Sequence, residues 1–124
     1  MTLIKFRNKQ ILLEGGIYQD TSYLESYKAN SEKFKFDPTE ISYVFVGHCH
    51  IDHIGLLPRL VKEGFNGKII LTYATSVMAK YLLLNCAFIV ADEARVLSKR
   101  YGREYDPLYS EDDVWNTIKL FYVY

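Results

Sequence analysis

Outside one six-residue window this chain of 124 residues has no histidine: all three of its imidazoles lie between positions 48 and 53. Cysteine is equally scarce, with only Cys49 and Cys86, and two such residues exclude a disulfide-built scaffold. Seven glycines and three prolines exclude a collagen-like or low-complexity chain. There is no excess of charge of either sign, since fifteen Lys and Arg balance fifteen Asp and Glu. That excludes a strongly basic nucleic-acid binder, although a local basic patch stays open. Long apolar runs are missing too. Runs such as Tyr81 to Leu84 fall far short of the roughly 20 residues of a membrane span, so no membrane partner is expected. The opening Met1-Thr2-Leu3-Ile4-Lys5-Phe6 is broken by a lysine and does not read as a secretory signal. A reducing cytoplasm is the expected compartment.

What is present is enough apolar residue for one core: 49% of the chain is hydrophobic, in a length suited to one domain. Leu3 to Phe6 and Gln10 to Leu13 read as strands of a hairpin turning at Arg7-Asn8-Lys9, and Glu14-Gly15-Gly16 ends the second. Residues 17–37 read as loop with a short helix near Ser22 to Lys28. Asp37-Pro38 starts a single turn, and Ser42 to Val46 follows as a buried strand, being apolar, β-branched and aromatic. After a loop over Gly47 to His53, Ile54 to Lys62 has helical spacing and Gly64 stands where a helix ends. Lys68 to Leu71 is a further short strand. A long helix is expected over Ser76 to Lys99, with Val77, Tyr81, Leu84 and Phe88 as one face. Ser110-Glu111-Asp112-Asp113 opens a capped helix through Lys119, and Leu120 to Tyr124 reads as a strand. Strands alternating with helices predict an α/β layered fold.

The chemistry is concentrated in Gly47-His48-Cys49-His50-Ile51-Asp52-His53. Two histidines two apart in an extended segment point the same way, and Asp52 and His53 add a carboxylate and a third imidazole as the chain enters a helix. Three imidazoles and a carboxylate suit zinc, and also iron or manganese. Imidazoles packed this closely depress one another's protonation unless a metal or carboxylate compensates. Packing alone gives no reason to collect every histidine of the chain here.

A strand, then H-x-H-x-D-H, then Ile54-Gly55-Leu56-Leu57-Pro58 resembles the signature motif of the metallo-β-lactamase superfamily. Leu57 through Ile69, Thr75, Leu82 through Ala87 and Pro107 through Val114 are similar to its RNA-processing β-CASP branch, so the resemblance covers nearly the whole chain. That branch holds the mRNA 3′-end endonuclease and the ribonuclease J group. The resemblance implies part of an αββα sandwich: residues 1–124 would be one incomplete metallo-β-lactamase domain, its N-terminal part. It also implies a hydrolase that cleaves RNA phosphodiester bonds with two zinc ions through a metal-bound hydroxide. His48 and His50 would hold the first ion and Asp52 and His53 the second, with Asp52 also orienting the attacking water. Other hydrolases of the superfamily act on thioesters, lactams or small phosphodiesters, and a non-catalytic metal-binding module is the alternative of another class.

The family pattern is not followed throughout. Its members complete the two sites with a further His, a bridging Asp and another His, yet no histidine lies beyond His53. The β-CASP insertion is missing, and the isolated chain is expected to lack activity and to self-associate through exposed surface, with the strand Phe121 to Tyr124 as one route. Glu14 stands where the pattern has Asp, Asn85 replaces Asp, and Phe88 replaces His. Glu14 is a candidate partner for a ligating histidine. Cys49 reads as a small buried residue or an added ligand, and Cys86 as core. Among the aromatics, Tyr43, Phe45 and Tyr81 are expected in the core. Tyr18, Tyr23 and Tyr27, beside Lys28, Lys33 and Lys35, form the one set suited to base stacking. Lys99, Arg100 and Arg103 are a second basic cluster, best suited to a helix C-terminus.

Overall fold

A computed structural model of the chain describes residues 1–19 and 22–124, so positions 20 and 21 of the expected 17–37 loop lie outside the described residues. Strands β1 (Thr2–Phe6) and β2 (Lys9–Leu13) pair antiparallel, with Phe6 opposite Lys9 and Arg7 at φ 55° closing the turn. From there every addition is parallel: β3 (Ile41–Phe45), β4 (Lys68–Leu71) and β5 (Phe121–Val123) join in chain order, giving a sheet β1-β2-β3-β4-β5. Parallel neighbours need crossovers. These are supplied by α1 (Tyr23–Ser31), by α2 (Ile51–Ile54) with α3 (Leu57–Lys62), and by α4 (Tyr73–Tyr101) with α5 (Glu111–Ile118).

The register shows which face is covered. Leu12, Val44 and Ile69 stand side by side across three strands and are fully buried, in one cluster with Leu57, Leu60, Leu83 and Val114 from the helices. The neighbouring positions Leu13, Phe45, Ile70 and Tyr122 are likewise aligned across the sheet, but point to its other face. There Phe45 is 40% and Tyr122 51% exposed, and Lys9 and Lys68 lie over the rings of Tyr43 and Tyr122. The described residues therefore form one layer of helix on one sheet, which is half of an αββα sandwich. This corrects the expected burial of Tyr43 and Phe45: the residues are in a strand, but on the face that no second sheet covers.

Capping residues set the helix ends. Ser22 accepts from the Glu25 amide, Thr72 from the Thr75 amide, and Ser110 and Asp113 make a reciprocal capping box. Gly102, at φ 67°, closes α4 in the left-handed conformation that glycine adopts at no steric cost. The expected apolar face of α4 is corrected. Ala79, Leu83, Cys86, Ala87, Val90, Ala94 and Leu97 are buried, whereas Tyr81 and Phe88 are two-thirds exposed and Val77 is also outside. By length and composition α4 is long and apolar enough to cross a membrane, with a mean hydropathy of 1.6 over its most apolar stretch. A count of uninterrupted apolar runs misses this, because Lys80 and Asn85 divide the stretch. Its small-residue side nevertheless packs on the core, against α1, α2 and α5.

Candidate metal centre

Three junctions converge where β2 and β3 end. The Glu14 amide donates to the Phe45 carbonyl at 2.9 Å, carrying the β2–β3 pairing one residue past the strands. Glu14 then turns at φ 65°, a conformation uncommon for a residue with a side chain. Gly15 and Ile17 donate to the carbonyls of His53 and Ile51, and Leu56 donates back to Gly15. The 14–17 segment thus lies strapped against α2. A Cβ on Gly16 would collide with the Asp52 carbonyl, so glycine is what lets the two backbones approach.

The helix begins earlier than its sequence suggests. His50 occupies the N-cap position with extended backbone (φ −67°, ψ 151°), so Asp52 and His53 sit inside the first turn of α2 rather than in a loop before it. Gly55 and Leu56 then separate α2 from α3, with Pro58 in the first turn of α3. The expected single helix over Ile54 to Lys62 is therefore two short ones.

These junctions bring the three histidines together and set Asp52 beside His53. The rings of His48 and His50 have centroids 4.1 Å apart, on the same side of the extended segment as the two-residue spacing requires. The His48 and His53 rings are 5.1 Å apart. Asp52 Oδ2 lies 3.6 Å from His53 Nε2. The backbone N–H of His50 donates to His48 Nδ1 at 3.4 Å. His48, His50 and Asp52 are exposed and His53 half-buried, so the cluster faces outward. Cys49 between them is a half-buried free thiol.

Glu14 is the inner wall of this cluster. One carboxylate oxygen accepts the Gly47 N–H at 3.1 Å. The other is buried, makes no hydrogen bond, and lies 3.2 Å from His53 Nδ1. The carboxylate lies against Nδ1 of the ring, which leaves Nε2 on the side of Asp52. The donor types, imidazole and carboxylate, suit a borderline divalent ion. Among the described residues, however, no three His, Cys, Asp or Glu side chains converge as a complete metal site.

Several supports were not legible from the motif. Tyr109, buried, donates to the Gly55 carbonyl at 2.7 Å and so fixes the α2–α3 junction from beneath. Burial, with Cys86 alongside, pushes its phenol far above the ordinary tyrosine range, and burial likewise raises the Cys86 thiol. Asn30 clips the segment leaving Gly16: its amide exchanges two 2.7 Å hydrogen bonds with the Tyr18 backbone. Arg59, buried, donates to the Asn30 carbonyl, pairs with Glu63 at 2.8 Å and lies 4.2 Å over the Phe34 ring. A lone arginine among Leu57-Pro58-Leu60-Val61 was the available signal.

The other candidates are dispersed. Tyr27 is committed to structure, edge-on to Tyr105 at 5.3 Å and donating to the Asp106 carbonyl, which removes it from the expected stacking set. Tyr18 and Tyr23 are exposed. Arg103 lies over Tyr105 just beyond the end of α4. Lys99 and Arg100 sit in the last turn of α4, where cations are favoured.

Comparison with known proteins agrees with this geometry. The family model of the metallo-β-lactamase superfamily matches residues 1–116. The chain is 36% identical over 85 residues to Ribonuclease TTHA0252 of Thermus thermophilus, covering 68% of this chain and 19% of that protein. It is 34% identical over 114 residues to Endoribonuclease YSH1 of Yarrowia lipolytica, covering 90% and 12%. With Cleavage and polyadenylation specificity factor subunit 3-I of Arabidopsis thaliana it shares 37% identity over 81 residues, 64% of this chain and 11% of that protein. The chain thus spans less than a fifth of the length of these curated relatives. With the strand, the histidine turn and its supporting carboxylate in place, and a family model matching nearly every residue, the chain belongs to the metallo-β-lactamase superfamily.

Proposed function

We propose that this chain carries the first part of a two-metal hydrolase site acting on RNA phosphodiester bonds. The observation that carries this reading is the outward-facing cluster of His48, His50, Asp52 and His53, backed by the Glu14 carboxylate. The similarity to proteins named ribonuclease and endoribonuclease supports the choice of substrate. His48 and His50 would hold one ion and Asp52 and His53 the other, with zinc favoured by imidazole donors and manganese or iron as alternatives. A divalent ion supplies Lewis acidity and brings the pKa of a bound water to about 7. Glu14 keeps the His53 ring turned so that Nε2 is its free donor, and the exposed Asp52 carboxylate orients the attacking water. Catalytic zinc takes three protein ligands, and four donors shared by two ions fall short of that. We therefore assign residues 1–124 to one incomplete domain whose remaining ligands come from other polypeptide, and place it in the reducing cytoplasm.

The same incompleteness favours a second reading, a metal-binding module without catalysis, since no three donors converge among the described residues. It also supports self-association. A folded monomer of this mass exposes about 6,900 Å², and this chain exposes 7561 Å².

Metal content by plasma mass spectrometry, on the chain and on its His48→Ala/His50→Ala variant, tests the site. At least one zinc, manganese or iron per chain, lost in the variant, is the expected result. No metal after reconstitution would overturn the metal-site reading. Metal-dependent RNA cleavage separates the hydrolase from the silent module.

A further inference from the structure

A groove of about 520 Å³ runs from the His50–Asp52 turn along α4, within the range of small-ligand sites, about 300–1,000 Å³. We infer that it holds the nucleobase adjoining the scissile phosphate, with Asn85 and Gln19 as the groups that grip the base edge. This rests on the hydrolase reading above for the position of the phosphate, at the His50 and Asp52 end.

The lining argues for a base over a phosphate or an apolar peptide. Leu82 and Ile89 give an apolar wall, and among the described residues neither lysine nor arginine lines the groove. Its charged and titratable groups sit at the histidine end, except for the Cys86 thiol, whose pKa burial raises. A backbone phosphate would find no cation along the α4 side, whereas a neutral, flat heterocycle needs none. What the groove offers instead is two primary amides. Asn85 and Gln19 are exposed, and neither side chain hydrogen-bonds another described residue. Each presents a donor and an acceptor side by side, which matches the paired groups on a base edge.

Asn85 has no structural occupation. It is the one polar residue other than tyrosine in Tyr81-Leu82-Leu83-Leu84-Asn85-Cys86-Ala87-Phe88-Ile89-Val90-Ala91. Asparagine is a poor helix former, and here it neither caps α4 nor bonds its backbone. It stands on the groove wall, one turn before Ile89.

The test uses the metal-free 124-residue chain and single-stranded RNA dinucleotides, with ¹⁵N-resolved NMR reporting on the side-chain amides. The Asn85 and Gln19 NH₂ signals should shift on titration with ApA or UpU. Asn85→Leu should weaken binding about fivefold to tenfold, the loss of one or two hydrogen bonds, and Asn85→Gln should recover part of it. An abasic sugar–phosphate analogue should bind the chain and Asn85→Leu alike. Equal dinucleotide affinity for the chain and Asn85→Leu, shifts confined to other residues, or no binding at all would overturn the inference. Its failure is separable from that of the hydrolase reading. Metal-dependent RNA cleavage that Asn85→Leu leaves unchanged refutes the groove alone. Groove binding without cleavage on metal loading refutes hydrolysis alone.

Discussion

Glu14 and Gly16 shape the surroundings of the histidine cluster although neither belongs to the histidine motif. Glu14 reaches Gly47 and His53 only because its own backbone is in the left-handed region, and Gly16 lets that segment lie against the Asp52 carbonyl. A methyl group at Gly16 has backbone in its way, not a flexible side-chain tip, so α2 must move. Gly16→Ala is expected to weaken metal uptake at least tenfold, measured by competition with a chromogenic chelator. Gly102→Ala is the control. It meets nothing within 4 Å and should lower stability by about 1 kcal/mol through its positive φ while leaving metal affinity unchanged. The clustering of the three histidines was legible in sequence because they fall within six residues. Tyr109 and Asn30 were not, because their hydrogen bonds to Gly55 and Tyr18 span 54 and 12 residues, and no local pattern announces a long-range partner.

Elements were legible where their ends carry chemistry. The start at Ser110 with Asp113 was readable because capping is a local hydrogen-bonding demand. The face of α4 was not, and the reason is physical. Large apolar residues occur all round the helix, so periodicity cannot choose among them, and the side that packs against α1, α2 and α5 carries Ala79, Cys86, Ala87 and Ala94 among its buried residues. Substitution distinguishes the faces. Leu83→Ala, at a fully buried position, should cost about 2–5 kcal/mol in urea denaturation, whereas Phe88→Ala, 68% exposed, should stay within about 0.5 kcal/mol. If the two costs were equal, the helix would be rotated relative to this description. The early start of α2 was hidden for a different reason: His50 caps the helix through backbone conformation, with no side-chain bond, so no capping residue marked the place.

At the scale of the molecule, one layer of helices covers one side of the sheet, while Phe45, Ile70 and Tyr122 line the other. The outer edge of β5 adds unpaired backbone to that surface, and an open edge is a template for another strand. The chain should therefore show a mass by light scattering that rises with concentration, and Phe45→Lys or Val123→Lys should return it toward 14.5 kDa. A concentration-independent monomer would remove self-association from the account. The α/β class was legible from alternating elements. The exposed second face was expected only through the family resemblance; residue patterns alone do not show it, since a strand destined for two covered faces and one with a single covered face share the same apolar residues.

The order of the strands also has a consequence for synthesis. Because the sheet runs β1 to β5 as the chain does, each strand leaving the ribosome after the first finds its neighbour already made. At about 5–20 residues per second, and with hairpins closing in about 1–10 μs, there is time for β1 and β2 to pair before β3 is translated. Glu14 and the glycines behind it are thus delivered ahead of the histidines they support, so the cradle exists before its contents.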